Sequence, residues 1–159
     1  MLRRESLIGV VSSSDIRWRE NTGYSLVITN DRLVCSARPE FDDDYWAFFP
    51  PGDRSDAPRL EEAEKKASEM IARRIFEMQR DRLVKVIYDP PGELFGGRLF
   101  LVSVGRKIEF KISMLSPWNP GIFKTVETLV DCLLSFAPRM VYNEKTGQRM
   151  DLERTSLAP

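Results

Sequence analysis

Alternation of apolar and polar residues predicts strands in the first part of the chain. One apolar run covers Ser6–Ser12, and two more, Tyr24–Thr29 and Leu33–Ala37, are separated only by a short polar turn. Asn30 and Asp31 suit that turn, because both residue types tolerate the positive φ that tight hairpin turns require. The pattern therefore predicts a first strand followed by an antiparallel hairpin.

From Leu60 to about Arg82 the spacing of apolar residues changes to three and four, which is typical of an amphipathic helix. The segment before it, Arg38–Pro58, holds several prolines and reads as a long irregular excursion. The apolar residues that set the helical spacing are Leu60, Ala63, Ala67, Met70, Ile71, Ile75 and Met78.

Strand patterns return at Leu83–Asp89, and the stretch from Gly96 to Ile112 predicts a second hairpin that turns at Gly105. A last amphipathic helix is expected between Asn119, a suitable N-cap, and Pro138, which ends it. Antiparallel strands with a terminal helix predict an α+β domain, in which a bent sheet or partly open barrel is capped by that helix. We expect one domain over residues 1–138 with an insertion at 38–82, and at 139–159 a polar tail or one short hairpin.

The stretch YSLVITNDRLVCSA resembles the strand–turn–strand of bacterial and archaeal pleckstrin-homology-like (PH-like) domains. In that family an apolar strand is followed by Thr and by a short polar turn ending in Arg, the places that Thr29 and Arg32 occupy here. An early strand with glycine, a helical insertion and a final helix give a matching order over roughly Ser6–Pro138. The chain departs from the family pattern in its long aromatic and acidic excursion and in showing fewer evident strands than seven.

Composition narrows the classes of function. The 159 residues carry 24 basic and 24 acidic side chains, so no bulk charge attracts nucleic acid, and a nucleic-acid partner is not expected. Histidine is absent, which removes catalysis by Ser-His-Asp or Cys-His groups and the commonest ligand of transition metals. Cys35 and Cys132 lie in apolar stretches and read as buried free thiols. No segment has transmembrane length, and we expect a cytoplasmic protein without cofactor.

Two segments are candidates for binding. Arg17, Arg19 and, across the turn, Arg32 resemble the basic residues with which PH domains grip phosphate groups, although Asp15 and Glu20 beside them dilute the positive charge. The alternative is a solvated loop in which Trp18 packs on the sheet.

The second candidate is the excursion FDDDYWAFFPP. Its aromatic residues could form a partner-binding surface or fix the segment to the domain's own core: Phe41, Tyr45, Trp46, Phe48 and Phe49. Asp42, Asp43 and Asp44 could bind Mg²⁺ or Ca²⁺, but consecutive aspartates cannot all face one ion, so no metal site is predicted.

The sequence thus predicts a non-catalytic PH-like binding or interaction module, with a protein partner or self-association. Two alternatives stay open. One is a peripheral membrane or phosphoinositide-binding domain that contacts anionic lipid, and the other is a carboxylate-dependent metal-binding protein or enzyme.

Overall fold

The fold of the chain is α+β, with one large open sheet and two helices, in a computed structural model that describes residues 5–38 and 43–150. Within these residues there are ten strands: β1 Leu7–Trp18, β2 Asn21–Thr29, β3 Arg32–Ala37, β4 Tyr45–Phe48, β5 Arg74–Gln79, β6 Leu83–Asp89, β7 Gly97–Ser103, β8 Arg106–Ile112, β9 Val141–Asn143 and β10 Arg149–Met150. The helices are α1 Ala57–Ala72 and α2 Gly121–Phe136.

The strands follow the order β10-β9-β6-β7-β8-β1-β2-β3-β5, and β4 adds to β1 beside this path. β1 joins the two halves of the sheet, because one of its edges pairs first with β4 and then, from Ile16 to Trp18, with β8. A register shift between Ser13 and Arg17 marks the point of change. Such irregularities bend a strand, which lets β1 leave one partner and meet the next.

The predicted hairpin is present as β2 and β3, and both of its faces are buried. Leu26 and Cys35 face a core shared with α2, whereas Val27 and Val34 face a second core beneath α1. Because the two helices cover opposite faces of these strands, β2 and β3 form the centre of the molecule rather than an exposed edge.

The prediction of a single helix over residues 60–82 is wrong, because the observed helix ends earlier and a strand follows it. α1 ends at Ala72, and Arg74–Gln79 form β5, which pairs antiparallel with β3. Phe76 and Met78 are buried in the core beside the sheet. Without β5, the backbone groups along the outer edge of β3 would have no strand to pair with. Edge pairing outweighs the weak helical preference of the sequence there.

β9 and β10, which follow residue 138, extend the sheet. β9 lies parallel to β6, with Val141 opposite Val86, and β10 returns beside β9. Of the two forms expected for residues 139–159, the structure has the short hairpin in the part that it describes, and residues 151–159 lie outside that part.

Candidate functional site

The three arginines of the predicted anion pocket do not come together. Arg32 lies at the start of β3, near the Leu7 end of β1, whereas Arg17 lies near the other end of β1. Arg17 comes ten positions after Leu7 in β1, which corresponds to roughly 30 Å of extended chain. The prediction of one pocket with Arg17, Arg19 and Arg32 is therefore wrong.

Arg32 is instead held by two carboxylates. Its Nε lies 2.8 Å from Oε2 of the buried Glu5, and its Nη1 lies 2.7 Å from Oε2 of Glu77. Thr29 Oγ1 donates a further hydrogen bond of 2.7 Å to Glu5. Burial by itself would raise the pKa of Glu5, but the hydrogen bonds from Arg32 and Thr29 outweigh it, so this pKa is lowered. Arg32 is thus part of the fold.

Arg17 has a different neighbourhood, formed by the pairing of three strands. β1 places Arg17 opposite Lys111 of β8, and β8 in turn places Lys111 opposite Arg98 of β7. The three exposed basic side chains therefore stand side by side across the sheet. Their alignment depends on pairing between strands that lie far apart in the sequence, since β1 pairs with β8.

Only one of these three cations is paired. Arg98 lies 3.5 Å from Asp89 and 3.4 Å from Glu144, whereas neither Arg17 nor Lys111 has an ion-pair partner within residues 5–38 and 43–150. Like charges on adjacent strands repel one another. An anion placed between Arg17 and Lys111 would relieve that repulsion.

A cleft of about 680 Å³ opens beside this row of cations. Its lining includes Arg17, Arg98 and Lys111, together with Asp15 and Asn119. Asn119 Nδ2 donates a 2.9 Å hydrogen bond to Asp15 Oδ1, and Asp15 is almost completely buried. The one carboxylate of the cleft is thus turned toward the protein, and the cations face the solvent.

A second cleft of about 360 Å³ continues the basic surface toward the β1–β2 turn, and Lys111 borders both clefts. Here Arg19, in a left-handed conformation with φ of 58°, stacks its guanidinium 4.4 Å from the Trp18 ring centre. We call the cations that line the two clefts the basic strip: Arg17, Arg19, Arg98, Arg106, Lys107 and Lys111. Two carboxylates, Asp15 and Glu109, share this lining.

Aromatic rings contact the charged ends of several members of the basic strip. The guanidinium carbon of Arg98 and the ammonium nitrogen of Lys107 lie 5.3 and 4.6 Å from the ring centre of Phe100, and the guanidinium carbon of Arg106 lies 5.1 Å from that of Phe76. Cation–π contacts of this kind restrict long side chains, and the charged groups remain at the surface. The strip is therefore partly organised before any ligand arrives.

The aromatic excursion faces inward. Trp46 donates a 2.8 Å hydrogen bond from Nε1 to Thr125 Oγ1 of α2, Phe48 packs on the core beneath α2, and Phe49 is buried in the core beneath α1. Tyr45 is half-buried beside that second core. Of the two interpretations of these rings, fixation to the protein's own core describes the four that the structure contains, and Phe41 lies outside the described residues.

The aspartates of the excursion do not form a metal site in the part of the chain that the structure describes. Asp44 pairs with Arg38 at 3.1 Å and accepts a hydrogen bond from the backbone of Ser14, Asp43 is exposed, and Asp42 lies outside the described residues. Residues 5–38 and 43–150 contain no group of three or more Asp, Glu, Cys or His side chains that could hold an ion.

Both cysteines are free and buried, as predicted. Burial raises the pKa of the Cys35 thiol to about 12, and it also raises the pKa of Cys132, to which Asp131 adds a smaller repulsion. Thiols in such surroundings remain protonated at neutral pH and are poor nucleophiles.

Sequence reasoning found Arg17 and Arg19 but missed the other four members of the basic strip. The alternation of Lys107, Glu109 and Lys111 identified the solvent-exposed face of a strand, but it did not show which strands lie next to it. Only the register of β7, β8 and β1 places these cations together.

Comparison of the chain with models of protein families, with curated proteins and with solved structures gave no match. Neither α1 nor α2 is long and apolar enough to cross a lipid bilayer.

Proposed function

We propose that this protein is a non-catalytic binding module with a PH-like sheet, and that the basic strip takes a ligand with clustered negative charges, such as phosphate groups. The observation that carries the proposal is the row of Arg17, Lys111 and Arg98, in which two of the cations lack a carboxylate partner among the described residues.

The order of the strands supports the PH-like resemblance. If β4, β9 and β10 are set aside, seven antiparallel strands remain in the order β5-β3-β2-β1-β8-β7-β6, and α2 follows the last of them in the chain. β5, which the sequence pattern did not reveal, is one of the seven strands expected from the resemblance. A fold of this kind hosts many functions, so the ligand class must come from the surface.

The chemistry of the strip favours phosphate or a similar anion. Guanidinium groups donate paired hydrogen bonds in a geometry that matches phosphate oxygens, and a lysine adds a compact charge. Six cations face two carboxylates in the lining of the clefts, although the whole chain is neutral. Because of this local excess of positive charge, the basic strip takes the place of the aromatic excursion as our candidate contact surface.

Calorimetric titration with inositol hexakisphosphate, a soluble polyanion, tests the proposal. We expect binding by the wild-type protein that weakens as salt is raised from about 0.01 M to about 0.15 M, because exposed charges are then screened. The double variant Arg17→Gln/Lys111→Gln should bind about tenfold more weakly or worse, as it loses two charge-assisted contacts.

The matched control is Lys65→Gln/Arg73→Gln, which removes two exposed positive charges from α1 and the turn after it. It should bind like the wild type. Absence of heat with the wild-type protein, or equal weakening in both double variants, would refute a role for the basic strip.

A further inference from the structure

An apolar surface borders the basic strip. Phe95 and Met114 line the larger cleft, and Leu94 and Trp118 are chain neighbours of its lining residues Phe95 and Asn119. All four side chains are strongly exposed: Leu94 by 81%, Phe95 by 78%, Met114 by 51% and Trp118 by 93%. We call them the apolar rim. Four large apolar side chains exposed beside one charged cleft are a candidate contact surface.

The two loops that carry the apolar rim are held by backbone hydrogen bonds. The Gly92 N–H donates to the Phe95 carbonyl at 2.9 Å, and the Leu115 N–H donates to the Gly92 carbonyl at 2.8 Å. The Ser113 N–H is bound by the Asp15 carbonyl of β1. The loop before β7 and the loop before α2 are thus tied to each other and to the sheet.

Glycines bring the first of these loops close to the sheet. A Cβ at Gly97 would collide with the Asp89 carbonyl and with Pro91, and one at Gly96 would collide with the Ile112 carbonyl. The loop tip with Leu94 and Phe95 therefore projects from a tightly packed base. Exposed apolar side chains on such a base are presented outward without first having to be ordered.

From the joined surfaces we infer that this protein docks on a lipid bilayer that contains anionic lipids. The apolar rim enters the boundary between headgroups and acyl chains, while the basic strip contacts the headgroup phosphates. This inference rests on the proposed function, because it identifies the anion carrier for the same strip.

Charge complementarity and the shape of the rim favour a bilayer over a protein partner. Interfacial binding combines buried apolar side chains with attraction between basic residues and anionic lipids, and tryptophan is enriched at this depth of a bilayer. Here the apolar side chains project from two loops, and Phe95 and Met114 line the same cleft as Arg17, Arg98 and Lys111. A fluid bilayer can accommodate apolar side chains that project from separate loops. A rigid protein partner would need a separate pocket for each of them.

Co-sedimentation with vesicles tests the inference. Vesicles of phosphatidylcholine with about 30 mol % phosphatidylserine should bind the wild-type protein, and vesicles of phosphatidylcholine alone should bind it far less, because the strip then meets no net charge. Leu94→Ser/Trp118→Ser, at the two rim residues that do not line the cleft, should reduce binding to the anionic vesicles about tenfold or more while leaving the titration with inositol hexakisphosphate unchanged.

The control variant is Ile75→Ser/Val84→Ser, which removes two exposed apolar side chains outside the rim and should bind vesicles like the wild type. Tryptophan emission gives a second readout. It should shift to shorter wavelength when anionic vesicles are added, and this shift should be lost in Trp118→Phe, because Trp118 is the tryptophan that lies almost fully in water.

The outcomes separate the two proposals. Binding of inositol hexakisphosphate without binding of vesicles would overturn the membrane inference and keep the proposed function, whereas loss of both would overturn both. Unchanged vesicle binding by Leu94→Ser/Trp118→Ser would remove the rim from the interface. A wild-type dimer in ultracentrifugation that this variant dissolves, without vesicle binding, would assign the rim to a second copy of the chain and overturn the inference.

Discussion

Arg32 shows how a residue chosen for binding can belong to the fold. Its guanidinium neutralises Glu5, whose side chain is almost completely buried, and it also contacts Glu77 of β5. A buried carboxylate that loses its partner is costly, since no water replaces the lost charge. The ion pairs therefore join the residues before β1 to β3 and β5.

Replacing Arg32 by Met should lower the free energy of unfolding by roughly 3 kcal/mol at pH 7, because Glu5 is left charged and unpaired. Urea unfolding followed by circular dichroism measures the change. Arg82→Met, at an exposed arginine, is the control and should change the free energy by less than about 0.5 kcal/mol.

The same pair gives a pH dependence. The pKa of Glu5 is lowered in the folded protein, so its stabilising contribution is complete above the unfolded value of about 4.3 and is lost as pH falls through the folded value. In Arg32→Met, protonation instead relieves a buried charge. The difference in unfolding free energy between wild type and variant should therefore shrink between pH 7 and about pH 4. A constant difference would contradict this account.

At this scale the sequence could identify cations but not their partners. Arg17 and Arg32 look alike as arginines next to strands, yet one is exposed and the other is 15% exposed between two carboxylates. Glu5 and Glu77 are distant from Arg32 in sequence, and nothing local predicts that they meet there. The basic strip could thus be predicted in part through Arg17 and Arg19, and the other four cations needed the sheet register.

Among the elements, β4 and β5 were the hardest to predict. β4 follows a run of aspartates and precedes two prolines, so local signals favour a loop, and its pairing with β1 is a tertiary effect. In β5, Ile75 and Met78 continue the three-residue spacing of α1 and imitate a helix. The elements with strong local signals were predicted: the β2–β3 hairpin, the β7–β8 hairpin and α2.

β4 should stabilise the protein through Trp46. Trp46→Ala removes core packing and the hydrogen bond to Thr125, and we expect a loss of roughly 3 kcal/mol in unfolding free energy. Trp118→Ala deletes the same ring from an exposed site and should cost less than about 0.5 kcal/mol. Urea unfolding monitored by far-ultraviolet circular dichroism compares the two. Equal losses would show that β4 is not anchored in this way.

For the whole molecule, a net charge of zero hides an uneven distribution. Composition alone did not favour a basic surface, because 24 acidic residues balance 24 basic ones over the chain. Folding separates them: β1, β7 and β8 place Arg17, Lys111 and Arg98 side by side, while carboxylates such as Glu5 and Asp15 are buried. Composition therefore limits bulk attraction and does not limit a local site.

The boundary expected at residue 138 cuts through the sheet. A chain ending at Pro138 would lose β9, the burial of Val141 and the hydrogen bond between the Val86 N–H and the Met140 carbonyl. We expect its free energy of unfolding to fall by roughly 3 kcal/mol, from lost packing and unpaired backbone. A chain ending at Met150 keeps the hairpin and serves as the control. Equal stability of the two in urea would show that β9 contributes nothing.

The double pairing of β1 has a consequence for the order in which the protein folds. β1, β2 and β3 are consecutive and can associate as soon as they have been synthesised, whereas Ile16 must wait for Ile112 before the two halves of the sheet join. Contacts between residues so distant in sequence slow folding. During synthesis the far end of β1 is therefore an open edge, and Arg17, which has a role in our proposed site, also places a charge there that disfavours pairing with a wrong strand.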